Sequence, residues 1–167
     1  MKETVEVTDR YALPEQFRNA WIVRTRELLD SFRQTTGVEL LARSGDPDDE
    51  AARLFSAPFV VVAHGAQADP ILNYANRAGL ELWEAPAEQF ILTPSRLTAE
   101  PTLRAARESL LAETARKGFV SGYEGVRISA TGRRFQIQNV TIWNVVDAGG
   151  TAAGQAATFA HWRFLES

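Results

Sequence analysis

Arginine is the residue type in this chain best suited to build a binding site. Arg96 lies in a proline-punctuated run, 93–101, and Arg127 lies in a β-rich run near the C-terminus. A guanidinium presents a planar fork of N–H donors that matches a carboxylate or carbonyl. Arg127 and Ser129 share strand parity with Tyr123, and Gln136 alternates with Phe135 and Ile137 in the following run. Asn144 and Gln155 flank a Gly-bearing link between two strand-like runs. Buried polar groups need partners. These residues therefore read either as ligand contacts or as an internal network, with Arg96 paired to Glu100 and Arg127 to Glu100 or Glu108. Arg133 and Arg134 follow a turn, where one of them can simply face water. Trp83, Trp143 and Trp162 could wall a flat ligand and would serve equally as plain core.

Other chemistries find less support. The chain has no Cys, which excludes a thiol nucleophile, a thiolate zinc site and a cysteinyl flavin adduct. Its two histidines, His64 and His161, would have to anchor any zinc or haem site, and no spacing supplies the remaining ligands. Ser95 and Ser129 lack a Gly-x-Ser-x-Gly context. Gly122-Tyr123-Glu124-Gly125 is not set in a strand–turn–helix unit that could cradle phosphate. Asp46-Pro47-Asp48-Asp49-Glu50 is a helix start rather than a cation site: Asp46 caps, Pro47 fits the first turn, and the acids face the positive end of the helix dipole. No metal site and no catalytic residue is expected.

The elements that must position these side chains fall into two halves. Up to Gly118 apolar residues recur mostly at helical spacing. Beyond it come three strand-like runs, 119–129, 133–145 and 154–164, separated by short Gly-bearing links that predict two consecutive hairpins. Residues 1–13 read as a loose lead-in. Phe17, Trp21, Leu28 and Phe32 then form an apolar stripe on a helix that starts near Pro14 and stops at Gly37, with Arg18, Arg24, Arg26, Asp30 and Arg33 on its other side. A short helix follows Asp46, and residues 59–64 and 71–76 read as strands. Asn76 caps a helix over 77–83, and Pro86 restarts a short one. Thr98 is placed to cap a helix running to Lys117. Phe135 and Ile137 share one strand parity while Val140 and Ile142 share the other. A bulge near Gln138-Asn139 would bring all four to one face.

A chain of 167 residues suits one domain and can bury a core without disulfides. A net charge of −3 and an acidic balance argue against broad nucleic-acid binding. No apolar run is long enough to span a membrane, and Met1-Lys2-Glu3 begins no signal-peptide core. A cytoplasmic location is expected.

The order two strands, helical middle, three strands resembles that of a PAS-like domain. More specific strings sit within it: residues 69–76 (DPILNYAN), 94–101 (PSRLTAEP), 132–135 (GRRF), Trp143-Asn144, and 154–157 (GQAA). In this order they resemble the MEKHLA domain family, in its stand-alone bacterial-type form, over about residues 40–162. Relatives of that domain also close plant homeodomain–leucine-zipper proteins. Neither a homeodomain nor a heptad zipper is visible here, so DNA binding is not carried over. The resemblance implies an α+β fold with a PAS-like five-stranded antiparallel sheet, helices on one face, and an N-terminal helical extension. The expected division is 1–43 for the extension and 44–167 for the domain. It implies a non-catalytic sensory or small-molecule-binding role through a downstream partner protein, or else a ligand-free interaction module; a third reading, an enzyme, would need a pocket holding a strongly perturbed His64, Glu100 or Tyr123. The cofactor is unknown, and non-covalent flavin has no motif in its favour. In such a fold a pocket between sheet and helices would be lined by Asn76, Arg96, Arg127, Gln136, Trp143 and Asn144. The stripe on the first helix would either cross its own sheet or pair two chains as a homodimer.

Overall fold

The computed structural model describes residues 13–166. The expected lead-in, apart from Leu13, lies outside the described residues. A 3₁₀ turn (Glu15–Phe17) leads into α1 (Arg18–Thr36), which stops at Gly37. Next come α2 (Pro47–Phe55), β1 (Val60–His64), β2 (Leu72–Ala75), α3 (Arg77–Trp83) and α4 (Ala87–Phe90). Two further 3₁₀ turns (Ser95–Thr98 and Pro101–Leu103) precede α5 (Arg104–Lys117). The chain then runs through β3 (Phe119–Ile128), β4 (Arg134–Val146), β5 (Ala152–Phe159) and β6 (His161–Phe164). All strand pairings are antiparallel, in the order β2-β1-β5-β4-β3, with β6 continuing β5 along the edge of β4. The third expected strand is thus one run broken at Ala160. Among the described residues no helix is long and apolar enough to cross a membrane.

The local signals act as their chemistry requires. The Asp46 carboxylate accepts from the backbone N–H groups of Asp48 and Asp49, starting α2. Thr98 does not cap α5. Its hydroxyl donates to the Ser95 carbonyl, and the α-helix begins only at Arg104. The reason is Pro101: its ring disfavours the helical region for the preceding residue, and Glu100 is extended at ψ 153°.

The expected bulge is present at Asn139, which sits at φ 51°. It belongs to a line of irregularities, with Gly122 (φ 74°) on β3 and Ala160 between β5 and β6. Along this line Phe135 and Ile137 join Val140 and Ile142 on one buried face, while Trp143 and Val145 turn to the other.

Both faces of the sheet are covered. On the inner face, α3, α4 and α5 enclose Val60, Trp83, Phe90, Leu110, Phe135 and Val140. On the outer face, α1 and α2 bury Trp21, Leu28, Phe32, Leu54, Phe55 and Trp143. The apolar stripe of α1 therefore crosses its own sheet. Trp21 Nε1 donates to the Asn73 carbonyl of β2, Arg24 Nη2 to the His64 carbonyl at the end of β1, and Ser31 bonds the backbone of Val146 on β4. Three strand spacings of about 4.8 Å match a ten-residue helical rise of about 15 Å. Arg24 was expected on the solvent side. It is 7% exposed because this path carries it to the end of β1, where it donates to the His64 carbonyl.

Asn76 joins these layers. Its Oδ1 accepts from Val61 N and Gly79 N, and its Nδ2 donates to the Leu54 and Phe59 carbonyls, at 2.8–3.1 Å. Asn76→Ala would remove four hydrogen bonds, leaving the Val61 and Gly79 N–H groups without this acceptor while the Leu54 carbonyl keeps Ala57 N–H. It is expected to cost about 3 kcal/mol in chemical denaturation; a loss under ~1 kcal/mol would mean that water replaces the amide. At the bulge, Asn139→Val should destabilise by roughly 1–2 kcal/mol while Asn139→Gly is tolerated. Equal stabilities for the two variants would remove the left-handed backbone as the constraint.

Candidate functional site

A cavity of about 60 Å³ lies between the inner face of the sheet and the helices. Its polar lining is contributed by His64 of β1, Thr98, Arg107 of α5, Tyr123 and Arg127 of β3, and Gln155 of β5. Its apolar wall includes Phe90, Leu110, Ile137 and Ile142.

Arg107 and Arg127 are each 8% exposed. Arg107 faces the sheet because it precedes Leu110 and Thr114 by one and two helical turns, on the same buried side of α5. Arg107 Nη2 donates to Ser95 Oγ at 3.0 Å. Arg127 Nη1 donates to the Val126 carbonyl at 2.9 Å, and both Nη atoms lie 3.4–3.5 Å from the Tyr123 hydroxyl. Gly125, between them on the same strand face, makes this contact possible: a Cβ there would collide with the Tyr123 hydroxyl. Among the described residues no carboxylate lies within ion-pair distance of either guanidinium. Burial, and after it the charge of Arg127, pushes the Arg107 guanidinium down to about 10; Tyr123 and Glu108 act weakly in the opposite sense.

His64 is 8% exposed. Its Nδ1 lies 3.0 Å from the Gly65 carbonyl, an arrangement that suits Nδ1–H as donor and leaves Nε2 buried without a hydrogen-bond partner. Burial pushes the imidazole down to about 4; the Gly65 contact opposes this, and the charges of Arg107 and Arg24 add to it. His64 is therefore neutral near pH 7. The close approach that frames its backbone depends on Gly154, at φ 107°, where a Cβ would strike the His64 carbonyl oxygen.

Of the six residues expected to line a pocket, Arg127 does. Asn76 is sealed in the hydrogen bonds described above. Arg96 is on the surface, with Nε 3.3 Å from Asp69 Oδ1 rather than bound to Glu100. Glu100 instead accepts from Arg134 Nε at 2.7 Å. Gln136 accepts from Arg163 of β6, away from the cavity. Trp143 packs on the outer face, edge-on to Phe32. Asn144 donates to the Ala115 carbonyl and accepts from Gln155, so it supports a cavity residue without lining the space. Of the three tryptophans weighed for an aromatic wall, Trp83 lines the cavity. Arg107 and His64 were missed as a pair. The available signal was an arginine in register with Leu110 and Thr114.

This arrangement, a twisted antiparallel sheet with a small polar cavity beneath flanking helices, is the PAS fold. The chain superposes on the PAS domain of a protein from Colwellia psychrerythraea with a TM-score of 0.59 at 15% identity, covering 70% of this chain and 94% of that one. A light-oxygen-voltage domain studied with a flavin analogue gives 0.54 at 14% identity, covering 71% and 86%. The chain belongs to the MEKHLA domain family, which matches residues 22–164. Similar curated proteins are the homeobox-leucine zipper proteins ATHB-9 and ATHB-15 of Arabidopsis thaliana. The first is 30% identical over 100 residues, which is 59% of this chain and 12% of that protein. The second is 23% identical over 141 residues, or 84% and 17%. The chain thus spans a small part of the length of either relative.

A flavin does not fit. The cavity is several-fold below the ~300 Å³ at which drug-sized pockets begin, and no cysteine is present to form an adduct. Among the described residues no group of three His, Asp or Glu side chains could hold a metal ion.

The lowered His64 value sets a pH dependence. Below about pH 6.5 the unfolded imidazole takes up a proton that the folded one refuses until about pH 4. Stability therefore rises with pH across that window, by up to ~3 kcal/mol. Denaturation midpoints of the wild type should fall between about pH 7 and 5 more steeply than those of His64→Gln. Parallel profiles would show that His64 is not held neutral by burial.

Proposed function

We propose that this chain is a non-catalytic small-molecule-sensing module of the PAS type that acts through a partner protein. The observation that carries the reading is the pair of buried guanidiniums that face a cavity with no carboxylate partner among the described residues. Buried arginines are ordinarily paired, and desolvating two like charges side by side is costly unless something compensates.

The backbone offers a route by which occupancy would be felt outside the cavity. The His64 ring lines the inner space while its carbonyl accepts from Arg24 of α1 on the opposite face. A ligand that shifts the end of β1 would shift the seat of α1, and a partner reading α1 would register the change. In this reading the homodimer expected through α1 would have to use a surface other than the stripe of Trp21, Leu28 and Phe32, which its own sheet covers.

The small size of the cavity favours a second reading, a ligand-free interaction module with a filled core. Native mass spectrometry of the chain purified from its own host, set against the denatured mass, separates the two. A reproducible small mass excess that disappears on denaturation is expected. Native masses equal to the chain alone, in buffers free of competing small molecules, would favour the interaction module.

A further inference from the structure

We infer that the cavity is a carboxylate site: Arg107 and Arg127 hold the carboxylate of a short-chain acid, and Phe90, Leu110, Ile137 and Ile142 take its hydrocarbon end. The inference rests on the reading of the chain as a ligand-binding module and names the ligand class.

Three observations lead to it. First, the two guanidiniums come from different elements, α5 and β3, and converge on one space. Elsewhere the fold supplies its buried and partly buried arginines with acids: Arg24 with Glu27 at 3.0 Å, Arg43 with Asp30 and Glu50, and Arg134 with Glu100. The cavity pair lacks such a partner among the described residues, so one anion placed between them would offset both charges at once. Second, the donors are prepared for it. The Tyr123 hydroxyl can accept from Arg127, which leaves its own hydrogen free to donate. Each guanidinium carries five N–H groups; Arg107 uses one on Ser95, and Arg127 uses one on Val126 and up to two on Tyr123, so both keep donors for a ligand. Third, the shape is amphipathic and small. At about 60 Å³ the space takes a molecule of a few heavy atoms and excludes nucleotides. The apolar wall disfavours a fully hydrated anion such as phosphate and suits an alkyl group.

The test titrates the full chain with sodium propionate, propionamide and sodium chloride at constant ionic strength. Thermal unfolding and tryptophan fluorescence are followed, since Trp83 lines the cavity. Propionate should raise the unfolding midpoint in a concentration-dependent way, as ligand linkage requires, and its uncharged isostere and chloride should not. Arg107→Met and Arg127→Met should each weaken the propionate response at least about tenfold. Without ligand they should unfold at or above the wild-type midpoint, because each removes a buried charge that has no acid partner among the described residues.

An equal response to propionamide would overturn the charge-based assignment and leave the cavity as a ligand site. No response of the wild type to any probe would also overturn it, independently of the variants; the native mass measurement then judges the sensing module separately. Variants that lose stability yet keep the propionate response would show that the arginines are structural.

Discussion

The fold depends on one strand serving two cores. β4 contributes Phe135, Ile137, Val140 and Ile142 to the inner core, and Trp143 and Val145 to the outer one. Strict alternation cannot do this. The irregularity at Asn139 inverts the parity, and companion irregularities at Gly122 and Ala160 invert it on both neighbours at the same level. A left-handed residue costs about 1–2 kcal/mol, whereas each large apolar side chain turned from water to core returns about 1.5–3 kcal/mol. The crease is therefore favoured. It supplies both the floor of the cavity and the seat of α1.

Covering both faces has an electrostatic consequence. With α1 and α2 over one side and α3, α4 and α5 over the other, the centre of the sheet is removed from water. Charges there lose their hydration. Arg24 answers this with Glu27 and the His64 carbonyl. His64 answers it by remaining neutral. Arg107 and Arg127 have hydroxyl and carbonyl partners but no acid among the described residues. The unusual feature of this interior is thus a concentration of positive charge around a small space.

β1 is the thin wall between the two sides. Its last residue presents a ring inward and a carbonyl outward, and Gly154 lets β5 lie directly against it. Asn76 fastens the same strand to α2 and α3 through Val61, Leu54, Phe59 and Gly79. A residue that reads in sequence as a simple helix cap is also the tie between layers, which leaves it no free group for a ligand.

The sequence by itself determined the local architecture: the helix starts at Asp46 and Asn76, the stop at Gly118, the hairpins, and the bulge at Asn139. Each depends on backbone preferences and on periodicity within a few residues, so a short window contains the cause. The motifs quoted from the chain carried the family assignment as well. The tertiary structure alone decided which acid each arginine meets, whether Trp143 faces the cavity or α1, and that Arg107 joins Arg127. Arg96 binds Asp69, 27 residues away, and Arg134 takes Glu100, 34 residues away. Such pairings follow from how distant elements pack. A side chain's parity says which face it occupies, but only packing says what waits on that face.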